Sequence, residues 1–391
     1  MKVVVVGLGQ CGGRIADEFA RLNSRARHQR GIEIVTGAFA VNTDAADLSG
    51  LKTISPDYQH RIRIGGRRTG GHGVGKINEV GAEVAREDAD KIVDALRTAE
   101  HLFETDAFFL VAGVAGGTGS GAMPIVAQMI RERYRDKPIH ALAILPFAHE
   151  EETEERAVYN TATCLKSLYK TVDAAFLIDN QRYVSKDSSL RNNLAKINSL
   201  IAEPFYNLLC AGEEKKPKHI GAKTLGAGDI IQSLAGWTVI GYGKSPLPLF
   251  RWFNFFLKNF IKKGAETQRG IQAMDEAISE LSVKCAPSDA GRALYLISGP
   301  AKEMNMGLIK ELADYLMGMS PQAVLRNGDY PTERGLIDVT LILSELSTVG
   351  KVRAYYEKAT GVIHSLKGRR GEFENKLKEI GELEKDIPSL L

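Results

Sequence analysis

The chain is poor in cysteine, in net charge and in long apolar runs, and each shortage excludes something. Of 391 residues only Cys11, Cys164, Cys210 and Cys285 are cysteine. None forms a C-x-x-C pair, which argues against a zinc ribbon or redox dithiol. The expectation is reduced thiols in a cytoplasmic protein. No run approaches the roughly 18 apolar residues of a membrane span. The opening "MKVVVVGLGQ" has one lysine and a four-valine run that glycine ends at once, too short for a signal-peptide core. Lys and Arg number 51 against 48 Asp and Glu, a net charge of +3. That lacks the basic excess of a nucleic-acid binder, so no nucleic-acid partner is expected. There is no internal repeat and no low-complexity tract.

What is present is alternation. Val3–Val6 is a continuous β-branched run that suits a buried parallel strand. Further strands read at 37–42, 106–114, 138–147 and 174–180. Helical stretches separate them, including Gly81–Leu96, Pro124–Tyr134 and Glu154–Tyr169. Strand–helix alternation predicts a doubly wound parallel sheet, an α/β Rossmann-like domain over 1–187. Leu190, Leu194, Ile197, Ile201 and Leu208 then share one face of a long helix over 188–212, a candidate spine. A smaller α+β domain follows over 213–346, and a charged, helical tail over 347–391.

Three glycine-rich loops stand out. Gly7-Leu8-Gly9-Gln10-Cys11-Gly12 fits G-x-G-x-x-G between a strand and a helix, a dinucleotide fingerprint. The acid expected about 20 residues on is missing, since the second strand ends later, at Asn42-Thr43-Asp44. Gly70 to Lys76 matches G-x-x-x-x-G-K, but Ile77 stands where Ser or Thr should meet magnesium, which argues against a P-loop. Gly116-Gly117-Thr118-Gly119-Ser120-Gly121 holds four glycines in six residues and no lysine. Its backbone N–H groups can form an anion nest. So many glycines cost chain entropy and promise no packing in return, which points to a ligand. Two strand–glycine–helix units in one domain imply two sides of one polyphosphate.

"AGGTGSG" (115–121) closely resembles the signature phosphate loop of the tubulin and FtsZ superfamily. "GQCG" (9–12) resembles the first phosphate loop of tubulin. "AVNTDAADL" (40–48) resembles the FtsZ loop near magnesium, and "FLIDNQ" (176–181) the tubulin strand end whose Asn reads guanine. The mixture, over about residues 1–345, looks most like CetZ, the archaeal tubulin-like family implicated in cell shape. The resemblance implies bound GTP or GDP with Mg2+. Gly9, Gln10, Cys11 and Gly12 would line phosphates and sugar. Asn42 and Asp44 would lie near the phosphates, Asp44 reaching the metal through water. Gly71 and Gly73 would belong to a third loop, and Ala115, Gly116, Gly117, Thr118, Gly119 and Ser120 would cradle the α/β-phosphates. Glu152 and Arg156 have the spacing of the family's ribose acid and γ-phosphate base, with Glu150 a competing register. Asn180 and Asn198 would read the guanine edge, since an amide offers paired donor and acceptor atoms. Leu194 stands where relatives stack an aromatic.

The resemblance also implies catalysis between subunits. A loop after the central helix would enter the next subunit's pocket and polarise water. Here Asp229 in "KTLGAGDIIQSL" is the catalytic candidate, while Gly226 replaces a second acid. Asp229 equally fits a helix N-cap. The expected protein is thus a GTPase that forms a head-to-tail homopolymer. The rival readings are a nucleotide-bound structural filament protein without turnover and an NAD-binding oxidoreductase. "PLPLFRWFNFFLKNFIKKG" (246–264) could be packed core, a lateral contact or a membrane-surface helix. "EKDIPSLL" at the end resembles an adaptor-docking peptide.

Overall fold

The computed structural model describes residues 1–99, 101–184, 190–247 and 259–362. The aromatic heart of 246–264 and the docking-like C-terminus lie outside them.

The first half alternates as the sequence predicts. β1 (Val3–Leu8), α1 (Gly9–Arg30), β2 (Val35–Asn42), α2 (Ala45–Ser49), β3 (Arg61–Arg63) and α3 (Gly66–Thr69) come first. α4 (Asn78–Glu87), α5 (Ala89–Arg97), β4 (Ala107–Gly113), α6 (Thr118–Arg133) and β5 (Ile139–Leu145) follow. α7 (Ala148–Thr153), α8 (Glu155–Thr171) and β6 (Ala174–Asp179) complete this half. The long helix α9 (Leu190–Ala211) leads to α10 (Ala227–Ser233) and β7 (Gly236–Pro246). Then come α11 (Asn259–Ser279), β8 (Arg292–Gly299), α12 (Met306–Met319), β9 (Val324–Pro331) and β10 (Leu336–Leu346). A last helix, α13, covers 350–362.

All ten strands join one sheet in the order β3-β2-β1-β4-β5-β6-β7-β10-β8-β9. It is parallel from β3 to β7, and β10 is antiparallel to both β7 and β8. The seam between the halves is short: Ala174, Ala175 and Phe176 pair with Gly236, Trp237 and Thr238. The architecture is α/β, a parallel-sheet domain joined through α9 to a smaller α+β domain.

Both faces of the sheet are covered, which is why the valine run shows no polar alternation. Val4, Val6 and Leu8 enter one core and Val3 and Val5 the other. The second core holds α9 against α1 and the strands. Phe205 of α9 lies 5.6 Å from Phe19, 5.8 Å from Phe109 and 5.2 Å from Phe176, ring centre to ring centre.

Two expectations change. The helix read as Gly81–Leu96 is two helices broken at Asp88, whose carboxylate accepts the Gly65 N–H at 2.6 Å. The start of the tail is also part of the fold: Val349, Val352, Tyr355 and Ala359 are buried in the first core. Among the described residues no helix is long and apolar enough to cross a membrane.

Candidate nucleotide site

Leu8 and Ala112 are paired neighbours at the C-terminal ends of β1 and β4, so the first and third glycine loops leave the sheet side by side. They touch: a Cβ on Gly9, whose φ is +71°, would stand 3.0 Å from the Gly119 nitrogen. Only glycine tolerates that turn and that approach together.

The third loop's glycines serve packing more than the sequence suggested. A Cβ on Gly121 would lie 2.1 Å from the Asn78 carbonyl oxygen. One on Gly117 would lie 2.6 Å from Val74 and 2.9 Å from the Ile77 nitrogen. They let α4 and the segment before it lie directly on α6. Gly116 differs, since nothing stands closer than 3.9 Å to its missing Cβ.

Asn160 of α8, which the sequence reading passed over, orients this loop. Its buried Nδ2 donates to the carbonyls of Lys76 (2.9 Å), Ala115 (3.0 Å) and Gly116 (3.3 Å). In a trans peptide the N–H points opposite to the C=O. With the Ala115 and Gly116 carbonyls turned toward Asn160, the N–H groups of Gly116 and Gly117 face away from it. Thr118 and Ser120 start α6; the Ser120 hydroxyl donates back to the Gly116 carbonyl, and the Thr118 hydroxyl meets that of Thr43 at 2.7 Å. The result is a cradle of outward N–H groups at a helix N-terminus, suited to phosphate.

The end of β2 closes one side. Asn42 accepts the N–H groups of Thr43 and Asp44 and donates to Asp47 at 3.0 Å. Gln10 donates to the other oxygen of Asp47 at 2.6 Å. Asp47, also missed, therefore ties the first loop to this one. Asp44 caps α2 through Ala46 and Asp47. Gly71 accepts the Ala45 N–H at 3.1 Å, and His72 bridges to Asp44. Gly71 and Gly73 sit at φ of +94° and +80°. Lys76, the would-be P-loop lysine, pairs instead with Glu154. The Cys11 thiol is pushed up to about 12, first by burial, then by the nearby Glu150 carboxylate, against Arg14.

The Glu150 carboxylate lies near enough for its charge to act on Cys11, and it accepts the Phe147 N–H at 2.9 Å. Glu152 is exposed on α7. Arg156 is engaged elsewhere, its Nη1 held by both oxygens of Glu79 at 2.9 and 3.1 Å. Asn180 follows β6 in a short turn that packs against α9, the helix carrying Leu194 and Asn198.

Asp229 is not at this end. It lies on α10, which leads into β7, and β7 begins beside Ala174 at the start of β6. Asn180 lies past the other end of β6. α9 spans that interval with 22 residues, about 33 Å at 1.5 Å per residue. The Met1 nitrogen, at the start of β1, bonds the Leu209 carbonyl near the far end of α9.

Residues 2–186 match the model of the Tubulin/FtsZ family, GTPase domain, and residues 187–361 that of the tubulin-like CetZ C-terminal domain. The tubulin-like protein CetZ1 of Haloferax volcanii is 30% identical over 375 residues, 92% of each chain. The chain belongs to the CetZ branch of the tubulin/FtsZ family. Two solved CetZ structures from Haloferax volcanii agree. The GDP-bound CetZ1 monomer superposes with a TM-score of 0.78 at 28% identity, covering 92% of this chain and 99% of that one. The GTPγS-bound CetZ2 protofilament gives 0.77 at 29%, covering 94% and 100%.

Proposed function

We propose that this CetZ-family chain binds GTP at the C-terminal ends of β1, β2 and β4 to β6, assembles head to tail and hydrolyses GTP at each junction. The observation that carries this is the separation of the phosphate cradle from Asp229 by the length of α9. Neither end is an active site alone. A heterologous contact that brings one end to the other does not close, so it repeats into a filament.

The outward N–H groups of Gly116 and Gly117, the α6 N-terminus, and Gly9 to Gly12 hold the phosphates. Asn180 and Asn198 read the base edge, and Glu150 holds the ribose in preference to Glu152. Among the described residues no three acids, histidines or cysteines converge on a metal position. Asp44 at the edge of the site fits a magnesium ion that keeps its waters, reached by the carboxylate through one of them. Such an ion would supply charge neutralisation at the phosphates. Asp229 of the next subunit orients the attacking water. A cytoskeletal role, as in cell shape, follows from the filament.

The test is Asp229→Ala. Guanine nucleotide released on denaturation and filaments seen by electron microscopy should persist, while phosphate release falls by about a hundredfold. Undiminished release at assembling concentrations would overturn the catalytic assignment. Wild-type filaments that bind GTP but release no phosphate would establish the rival of a structural filament. Bound NAD would refute both.

A further inference from the structure

The exposed acid Asp229 is attached to an unexpectedly firm base. Its Oδ2 accepts the Gly226 N–H at 3.3 Å and its Oδ1 the Nη1 of Arg326 at 2.8 Å. The same guanidinium reaches one turn along α10 to the side-chain oxygen of Gln232. Arg326 comes from β9, the last strand of the sheet. Three residues on, Asp329 is buried, and its carboxylate accepts the N–H groups of Lys223 at 2.6 Å and Ala222 at 3.0 Å. Its own N–H donates to the Lys223 carbonyl at 3.0 Å, and Lys223 pairs with Asn327. Gly221 lies so close that a Cβ would stand 2.0 Å from the Asp329 carbonyl oxygen. β9 thus grips both the approach to the acid, at 221–223, and the acid itself.

We propose that Arg326 is a positioning residue for hydrolysis in the neighbouring subunit: its planar fork fixes the rotamer in which Asp229 is presented. This rests on the catalytic role of Asp229 proposed above. A carboxylate on a side chain 43% exposed otherwise samples several rotamers, and orienting water demands one. The fork binds Asp229 and Gln232 at once, so it sets direction as well as distance. A lysine keeps the charge but loses the second anchor. As a stability element the pair is minor, since a half-exposed ion pair contributes little.

The experiment uses the full chain and reads three quantities: GTP affinity, polymer pelleted with GTPγS, and phosphate release per pelleted subunit. Arg326→Ala should leave the first two within about twofold and lower the third about tenfold to a hundredfold. Arg326→Lys should fall between. Asp329→Asn keeps one acceptor oxygen on the loop and should lose less than Arg326→Ala. Turnover per pelleted Arg326→Ala subunit within about twofold of wild type overturns the proposal. Should that variant fail to assemble, Arg326→Lys decides: wild-type turnover overturns the proposal and reduced turnover supports it. Asp229→Ala run in parallel separates the two ideas. If it retains turnover, the catalytic reading falls and this one with it; if it is inactive while Arg326→Ala is not, only this one falls.

Discussion

At the scale of single residues the difficulty lies between Glu150 and Glu152. The acidic run "HEEETEER" admits both registers, and only the turn of α7 separates them. Glu150 acts on Cys11 through its charge and accepts the Phe147 N–H, while Glu152 is exposed. Glu150→Gln keeps an acceptor for Phe147 but removes the charge proposed above to hold the ribose. GTP affinity should weaken by about tenfold, the scale of one charged hydrogen bond, whereas Glu152→Gln should stay within about twofold. A fluorescence titration with a labelled guanine nucleotide checks both, and the reverse order would return the ribose role to Glu152. Residue scale is also where the sequence reading was most misleading. The glycines of 116–121 were legible as a loop, but their reason was not. Gly117 and Gly121 are required by backbone on α4 and the turn before it, partners some 40 residues earlier that no local pattern reveals. Asn160 escaped for the same cause: on a helix its side chain reads as polar face, and its three carbonyl partners come from two distant loops.

At the scale of elements the sequence was more transparent. β1, β4, β5 and β6 are buried on both faces, so their apolar runs announce them, and each helix between carries a periodic face. The failures are where a tertiary contact overrides local preference. Asp88 breaks a helix because its carboxylate is taken by Gly65. α13 reads as charged tail because its charges meet partners far back in the chain. Lys351 binds Asp179 at 2.7 Å and Glu151 at 3.6 Å, and Lys358 binds Glu151 at 3.2 Å. The Tyr355 hydroxyl donates to Glu151 at 2.5 Å, and burial, then that carboxylate, raises its pKa. Asp179 precedes the base-side Asn180, and Glu151 follows Glu150. α13 therefore clasps the segments that carry Glu150 and Asn180, the proposed ribose and base residues, and both carboxylates are only 13% exposed, less screened than surface charges. Lys351→Met should speed release of a fluorescent GDP analogue several-fold, about 1 kcal/mol of lost positioning. Arg353→Ala, on the same helix but paired among the described residues only with the exposed Glu357, should not. Equal release rates in both variants would leave the clasp a purely structural contact.

At the scale of the whole molecule the sheet accounts for the separation of the two half-sites proposed above. The parallel strands from β3 to β7 all point their C-terminal ends the same way, toward the side of the sheet that carries the glycine loops, and α9 returns along the sheet to its other end. The acid delivered after α9 is therefore always at the wrong end for its own pocket, whatever the side chains. That makes a prediction about mixtures that no single-subunit enzyme shares. Asp229→Ala subunits keep a pocket but bring no acid; Asp44→Ala subunits bring an acid but lack the metal-side carboxylate. Each alone should release little phosphate. Mixed in equal amounts and copolymerised at random, a junction needs an intact pocket, chance one half, facing an intact acid, again one half. Roughly a quarter of the wild-type rate should return, because each junction in a heterologous repeat joins one pocket to one acid. Asp44 also caps α2, so its variant loses about 1 kcal/mol of local stability, and pelleting must first show that it enters the polymer. Given that, a mixture no more active than its parts would mean that acid and pocket act within one subunit, a result the 22-residue span of α9 makes hard to reconcile with the fold.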